Sequence, residues 1–90
     1  MKKTNKELER IIKGFANHRR LQILQLLGRE PELSVMEVAQ KIKSDPKNVS
    51  AHINKMAIAG LVMKRYDVNM VRHKLTKRGK SILQFVRIIE

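Results

Sequence analysis

The sequence predicts a mainly α-helical domain with one small β-hairpin, comprising about five helices and two strands. Three observations support this fold class. Helix-capping residues recur along the chain, apolar residues follow them at helical spacing, and one segment in the second half is rich in strand-forming residues. Ninety residues are enough for one domain, which we expect to span 1–90.

The first three helices are predicted from N-cap residues that precede amphipathic stretches. Two of the caps form the Ser/Thr-x-x-Glu capping box, and the three cap residues are Thr4, Asn17 and Ser34. We expect the first helix to end near Gly14 and the second at Gly28, which precedes Pro31. The third helix carries the clearest apolar stripe, from Val35 to Ile42.

A short break, 43–45, separates the third helix from a fourth. Asp45 is a good N-cap, and Pro46 occupies the first helical position, where proline is tolerated. Gly60 is expected to end this helix in a left-handed conformation. Residues 61–75 then predict a hairpin with Asp67 and Asn69 in its turn, and a last helix follows the cap residue at position 76.

Two short helices joined by a three-residue turn and followed by a basic hairpin are typical of a winged helix-turn-helix. The fourth helix would then be the recognition helix, and its predicted outward face is short, polar and basic. Such side chains suit the major groove, where Asn can bond adenine and Lys can reach guanine or phosphate. A plain solvated helix face is the alternative interpretation. The candidate DNA-binding residues on this helix are Lys47, Asn48, Ser50, Ala51, Asn54 and Lys55.

His52 lies at the edge of the apolar face of the same helix. Packing in the core and contact with a phosphate are equally compatible with that position, so we keep His52 among the DNA-binding candidates.

The hairpin places four cations, Lys64, Arg65, Arg72 and Lys74, around a tip where only Asp67 opposes them. A wing of this kind can follow the DNA backbone or enter the minor groove. Solubilising charge on an exposed ribbon is the alternative, and strand alternation allows only two or three of these side chains to face DNA. The candidate DNA-binding residues of the hairpin are Arg65, Asn69, Arg72 and Lys74.

The charge of the chain favours a polyanionic partner. The formal net charge is +12, and residues 46–90 carry ten basic and two acidic side chains.

We expect no secretory signal and no membrane span, because the apolar runs are too short. No catalytic set or phosphate loop is present, so we expect no enzymatic activity. The low aromatic content weighs against base-stacking platforms for single strands.

Two helices carry apolar residues beyond those that one small core requires. The apolar residues of the last helix cover a wide arc, and the first helix has a stripe that could meet it in a second copy. The predicted homodimer interface comprises Leu8, Ile11, Ile12, Phe15, Ile82, Phe85, Val86 and Ile89.

Segments spread over nearly the whole chain resemble the ArsR-type winged-helix regulators. These segments are residues 15–27 (FANHRRLQILQLL), 32–39 (ELSVMEVA), 49–53 (VSAHI) and 59–62 (AGLV), whereas residues 75–79 (LTKRG) also resemble other winged-helix families, including the MarR type. The resemblance implies a homodimer built from the first and last helices, with Ser50 and its neighbours reading DNA.

Metal-sensing members of that family carry two cysteines where this chain has Ser34 and Met36, and it has no cysteine at all. The last helix also lacks the histidines of another metal site of such families. His18, His52 and His73 are scattered over different predicted elements. We therefore expect no metal site and no cofactor, and we interpret Ser34 as a helix cap.

The leading hypothesis is a cytoplasmic homodimer that binds double-stranded DNA sequence-specifically and regulates transcription, as a repressor. One alternative is a winged-helix adaptor for protein partners, suggested by Ile58, which is predicted to be exposed. A second alternative is an architectural protein that coats DNA without sequence preference.

Overall fold

A computed structural model describes residues 2–90 and confirms the predicted fold class. The helices are α1 (Asn5–Phe15), α2 (His18–Arg29), α3 (Val35–Ile42), α4 (Pro46–Ile58) and α5 (Lys77–Ile89), and the strands are β1 (Val62–Asp67) and β2 (Met70–Leu75). Five helices and a two-stranded antiparallel hairpin in this order form a winged helix-turn-helix.

The predicted caps explain where the helices begin. Thr4 and Ser34 form complete capping boxes: each hydroxyl accepts a hydrogen bond from the N3 backbone N–H, and each cap N–H donates to a glutamate. Side-chain oxygens of Asn17, Asp45 and Thr76 accept backbone hydrogen bonds at the starts of α2, α4 and α5. Each cap satisfies donors that a helix start would otherwise leave unpaired.

One glycine has a different role from the predicted one. Gly28 does not end α2, which continues to Arg29. A Cβ at Gly28 would overlap Leu83 of α5, so the missing side chain lets α5 approach α2. Gly60 ends the α4 region as predicted, with φ of 78°.

The core lies around α2, which supplies four of its buried side chains and packs against α3, α4, α5 and β2. The fully buried large apolar side chains outside α2 come from α3, α4 and the chain that enters the hairpin. They are Val38, Val49, Ile53, Met56 and Leu61, and the polar His73 of β2 is buried with them. The buried stripe of α4 is therefore what holds its opposite face outward.

The hairpin is attached to the body by a contact that the sequence analysis did not predict. Leu33, just before α3, forms an isolated bridge with His73 of β2. The backbone N–H of His73 donates to Leu33 O at 2.9 Å, and that of Glu32 donates to His73 O at 2.8 Å. β2 thus lies between β1 and the α2–α3 loop. Asp67 ends β1 opposite Met70, so the turn proper is formed by residues 68–69.

Among residues 2–90, no helix is both long and apolar enough to cross a membrane.

Candidate nucleic-acid interface

The turn between α3 and α4 sets the direction of the recognition helix. Lys43 adopts a left-handed conformation with φ of 55°, and Ser44 N–H donates to Ala39 O at 3.0 Å. The Asp45 side chain then accepts from Asn48 N–H. This cap starts α4 at Pro46, so only residues 43–45 separate α3 from α4. A turn this short directs α4 away from α3.

The exposed face of α4 matches the predicted one, except that Ser50 is half-buried. The other residues of the predicted face are exposed: Lys47, Asn48, Ala51, Asn54 and Lys55. His52, predicted at the edge of the apolar face, is half-buried. Over the described part of the chain, neither Lys47 nor Lys55 has a carboxylate within 4 Å. The face therefore presents two cations that no acidic side chain neutralises.

Asn54 is coupled to the wing. Lys64 Nζ donates to Asn54 Oδ1 at 2.6 Å, which ties the first strand of the hairpin to the exposed face of α4. This contact fixes the Asn54 oxygen towards Lys64 and orients its NH₂ group. No local spacing predicts this contact, because the two residues lie on different elements.

His52 joins α4 to α2 by a side-chain contact that neither sequence interpretation included. Its Nδ1 accepts from Arg20 Nε at 3.2 Å. Burial lowers the pKa of His52, and the nearby charges of Arg20 and Lys55 lower it further. The neutral ring thus acts as an acceptor for an arginine.

The register of the hairpin divides its four cations between two faces. Arg65 is opposite Arg72, and Lys74 is opposite Met63, so these three cations share one face. Lys64 is opposite His73 on the other face, next to α4. The exposed Asn69 lies in the turn.

Both wing arginines are paired with carboxylates. Arg65 Nε lies 3.3 Å from the Glu32 carboxylate, and Arg72 Nε lies 3.0 Å from Asp67 Oδ2. Arg72 Nη1 also donates to Glu32 O at 3.1 Å. The expectation that only Asp67 opposes the wing was therefore wrong, since Glu32 reaches it from the α2–α3 loop.

The Asp67 carboxylate is held in its charged form. The backbone N–H of Val68 donates to it at 2.8 Å, and this bond, followed by the Arg72 contact, lowers the pKa of Asp67. Lys74 has no carboxylate within 4 Å among the residues that the structure describes.

The predicted dimer residues divide by exposure. Leu8, Ile12, Phe85 and Ile89 are exposed, whereas Ile11, Phe15 and Ile82 are half-buried against the core. Val86 is only 8% exposed and belongs to the core of the protomer, so little of it remains for a partner to cover. Ile88, which the prediction omitted, is 75% exposed.

The segment that resembles a metal site has a structural role here. Ser34 Oγ accepts from Glu37 N–H at 3.2 Å, as expected for a helix cap, and Met36 is exposed. Within residues 2–90, no three His, Cys, Asp or Glu side chains come together in a metal-binding group.

Known proteins share this fold. The HVO_A0114 family model matches residues 16–77, whereas the curated proteins include no match. The solution structure of the homodimeric winged helix-turn-helix DNA-binding domain of Mb0332 from Mycobacterium bovis, a possible ArsR-family transcriptional regulator, has a TM-score of 0.85 and 26% identity. That alignment covers 94% of this chain and 79% of the other.

Two HlyU structures are also similar. HlyU from Vibrio cholerae has a TM-score of 0.83 and 29% identity over 99% of this chain and 97% of its own. The transcriptional regulator HlyU from Vibrio vulnificus has a TM-score of 0.77 and 29% identity over 94% of this chain and 88% of its own. The matched residues, 16–77, run from the residue after α1 to the first residue of α5 and make up more than half of the chain. This winged helix-turn-helix chain therefore belongs to the HVO_A0114 family.

Proposed function

We propose that this protein is an ArsR-type transcriptional regulator that binds double-stranded DNA sequence-specifically as a homodimer. It acts in the cytoplasm as a repressor that blocks access to its site, and it has no enzymatic activity. The observation that carries this proposal is the exposed face of α4, where Asn48, Asn54, Lys47 and Lys55 project beside a basic hairpin.

The chemistry of α4 supports sequence-specific contact with base edges. Asn54 presents an oriented amide, and an amide can pair with the N6 and N7 edge of adenine in the major groove. Lys47 and Lys55 supply charge for phosphate or guanine. The wing then contributes mainly backbone contacts, through Lys74 and the two arginines.

Exposed apolar side chains on α1 and α5 support the homodimer. Phe85 is 50% exposed and Ile89 is 65% exposed, which is unfavourable unless a partner covers them. Mb0332, which shares the fold, is homodimeric. Two-fold symmetry would place two α4 helices about 34 Å apart on one face of the duplex.

Selection of bound fragments from the source genome tests the proposal directly. We expect an enriched palindrome whose half-sites are spaced by about one helical turn. Fragments enriched without any common sequence would contradict sequence-specific regulation.

The net charge of +12 favours a second candidate, an architectural protein that coats DNA. Equal affinity for several unrelated duplexes, with the same steep salt dependence on each, would support this candidate over the first.

A further inference from the structure

A groove of about 640 Å³ lies between α1 and the C-terminal half of α4, and it borders the exposed face of the recognition helix at Lys55. Its volume is within the range of small-molecule sites, about 300–1,000 Å³. Gly14 forms part of its wall. A side chain at this position would overlap Ala59 and push α1 away from α4, so the glycine lets the two helices approach.

The groove is strongly basic. Six cations and one carboxylate, that of Glu7, line it, and the cations are Lys3, Arg10, Lys13, Arg20, Lys55 and Arg78. Of these six cations, only Lys13 has a carboxylate within 4 Å among the described residues, that of Glu9. The Glu7 carboxylate accepts from Thr4 N–H at 2.9 Å in the capping box and keeps its negative charge, so the formal charge of the lining is +5.

Two guanidinium groups are fixed in place by backbone carbonyls. Arg20 Nη1 donates to Lys13 O at 2.6 Å, and Arg78 Nη1 donates to Ala59 O at 2.8 Å. Because a guanidinium has five N–H donors, both arginines retain donors for a ligand. Positioned guanidinium groups without carboxylate partners are suited to binding carboxylate, sulfonate or phosphate.

Apolar surface accompanies the charge. Ile11 and Ala59 line the groove, and Ile58 at its edge is 87% exposed. An inorganic anion would leave these side chains uncovered, whereas an anion attached to an apolar group would cover them and gain free energy.

We propose that this groove binds a small organic anion, an apolar group bearing one carboxylate, sulfonate or phosphate, and that the bound anion weakens DNA binding. The weakening rests on the proposed function. Lys55 lines the groove and is also a DNA-binding candidate, so an anion that engages it removes a cation from the DNA surface. Arg20 connects the groove to His52 on α4 through the hydrogen bond at 3.2 Å.

The groove remains open in the proposed homodimer. Two charged α1 residues that line it, Glu7 and Arg10, lie about 100–160° around the helix from Leu8 and Ile12. Ile11 lies between these two sides of α1, so we expect a partner that covers Leu8 and Ile12 to approach the apolar edge of the groove and leave its charged side open.

Amide chemical shifts of the ¹⁵N-labelled full chain, titrated with phenyl phosphate, test the site without DNA. We expect the largest shifts at Gly14, Ala59 and Gly60, and binding roughly tenfold tighter than for inorganic phosphate or benzyl alcohol. Arg10→Gln should weaken phenyl phosphate at least about fivefold. Lys6→Gln is the matched control, because it removes one charge from α1 outside the groove and should leave affinity unchanged.

Three results of the titration would overturn the site. Shifts centred on Lys47, Asn48 and Ala51 or on the hairpin would place the anion on the DNA surface outside the groove. Equal losses in Arg10→Gln and Lys6→Gln would show only general charge attraction. Inorganic phosphate binding as tightly as phenyl phosphate would remove the role of Ile58 and the apolar wall.

A competition measurement then tests the effect on DNA. Phenyl phosphate should weaken DNA binding by the wild type several-fold more than by Arg10→Gln, while benzyl alcohol should leave it unchanged. If Arg10→Gln itself weakens DNA binding as much as the loss of a phosphate contact, the groove is part of the DNA footprint. That result would overturn the proposal. If the wild-type protein binds no DNA, the proposed function is refuted. The amide shifts test the anion site independently of that result.

Discussion

Helix α4 and the β1–β2 hairpin lie side by side, but the arginines of the hairpin are held differently from the lysines of the helix. Lys47 and Lys55 of α4 have no carboxylate within 4 Å among the described residues, whereas Arg65 and Arg72 of the hairpin are paired with Glu32 and Asp67. A phosphate meets the α4 lysines without a competing carboxylate, whereas a carboxylate already offsets part of the charge of the wing arginines. The difference indicates that the wing contributes less to DNA affinity than its number of cations suggests.

The largest expected effect comes from breaking the homodimer, because a monomer brings only one α4 and one hairpin to the DNA. Phe85→Asp adds a charge to an exposed apolar position of α5 and should produce a folded monomer. Affinity for a palindromic site should then fall roughly 10²-fold or more, because one α4 and one wing are lost from the complex. Sedimentation at micromolar concentration and binding isotherms measure the two effects.

Gln84→Asp is the control, since it adds the same charge at a neighbouring exposed polar position and should remain dimeric. Val86→Asp differs from both, because Val86 is buried and a charge there should unfold the protomer. A strictly monomeric wild type would refute the dimer.

The next effect separates base reading from backbone contact. Asn54→Ala removes the amide that Lys64 orients and should cost about 1–3 kcal/mol on the selected site, with little change on random DNA. Gln40→Ala removes an exposed amide from α3 and should change neither affinity. Binding isotherms on both DNAs provide the measurement.

Lys64→Met tests how the two regions cooperate. If Lys64 orients Asn54, the double variant that combines Lys64→Met with Asn54→Ala should lose less affinity for the selected site than the sum of the losses in the two single variants. Additive losses would mean that the contact between α4 and the hairpin does not matter for base reading.

A smaller effect tests the wing pairing. Arg72→Ala should weaken binding to all sequences similarly and reduce the salt slope by less than one counterion, because Asp67 already offsets this charge. Asp67→Asn should instead strengthen binding to all sequences, since it frees Arg72. Glu9→Gln changes the net charge equally on α1 and controls for general attraction. Loss of preference at one base pair in Arg72→Ala would reverse the roles of wing and helix.

The comparison between the two regions also shows what the sequence could predict. The start of α4 depends on Asp45 and Pro46, which are adjacent in sequence, and capping rules identify them. The Arg65–Glu32 contact joins residues 33 positions apart, and no local spacing predicts it. Local chemistry therefore predicted which side chains α4 exposes, but not how the hairpin charges are neutralised.

The same limit explains Gly28. A glycine before Pro31 is typical of a helix end, but Gly28 lies inside α2, where a Cβ would meet the Leu83 side chain of α5. The sequence cannot distinguish the two roles, because one depends on the next few residues and the other on a helix more than fifty positions later.

The smallest expected effect concerns the attachment of the hairpin to the body. His73 is 2% exposed, and its Nδ1 lies 2.9 Å from Leu33 O, so the neutral ring donates a hydrogen bond there. Burial lowers the pKa of His73, the Leu33 hydrogen bond partly opposes this, and Lys64 lowers it further.

Because the pKa of His73 is lower in the folded than in the unfolded state, its contribution to stability is complete above the ordinary histidine pKa of about 6.5. That contribution should be lost as the pH falls from there towards the lowered folded value, since the unfolded chain then binds the extra proton. Urea midpoints between pH 8 and pH 5 measure this loss. His73→Asn should flatten the decline, whereas His18→Asn, at an exposed position, should not. His52 also has a lowered pKa, so part of the decline should persist in His73→Asn. A midpoint of the wild type that does not change with pH would show that His73 remains uncharged, or equally easily charged, in both states.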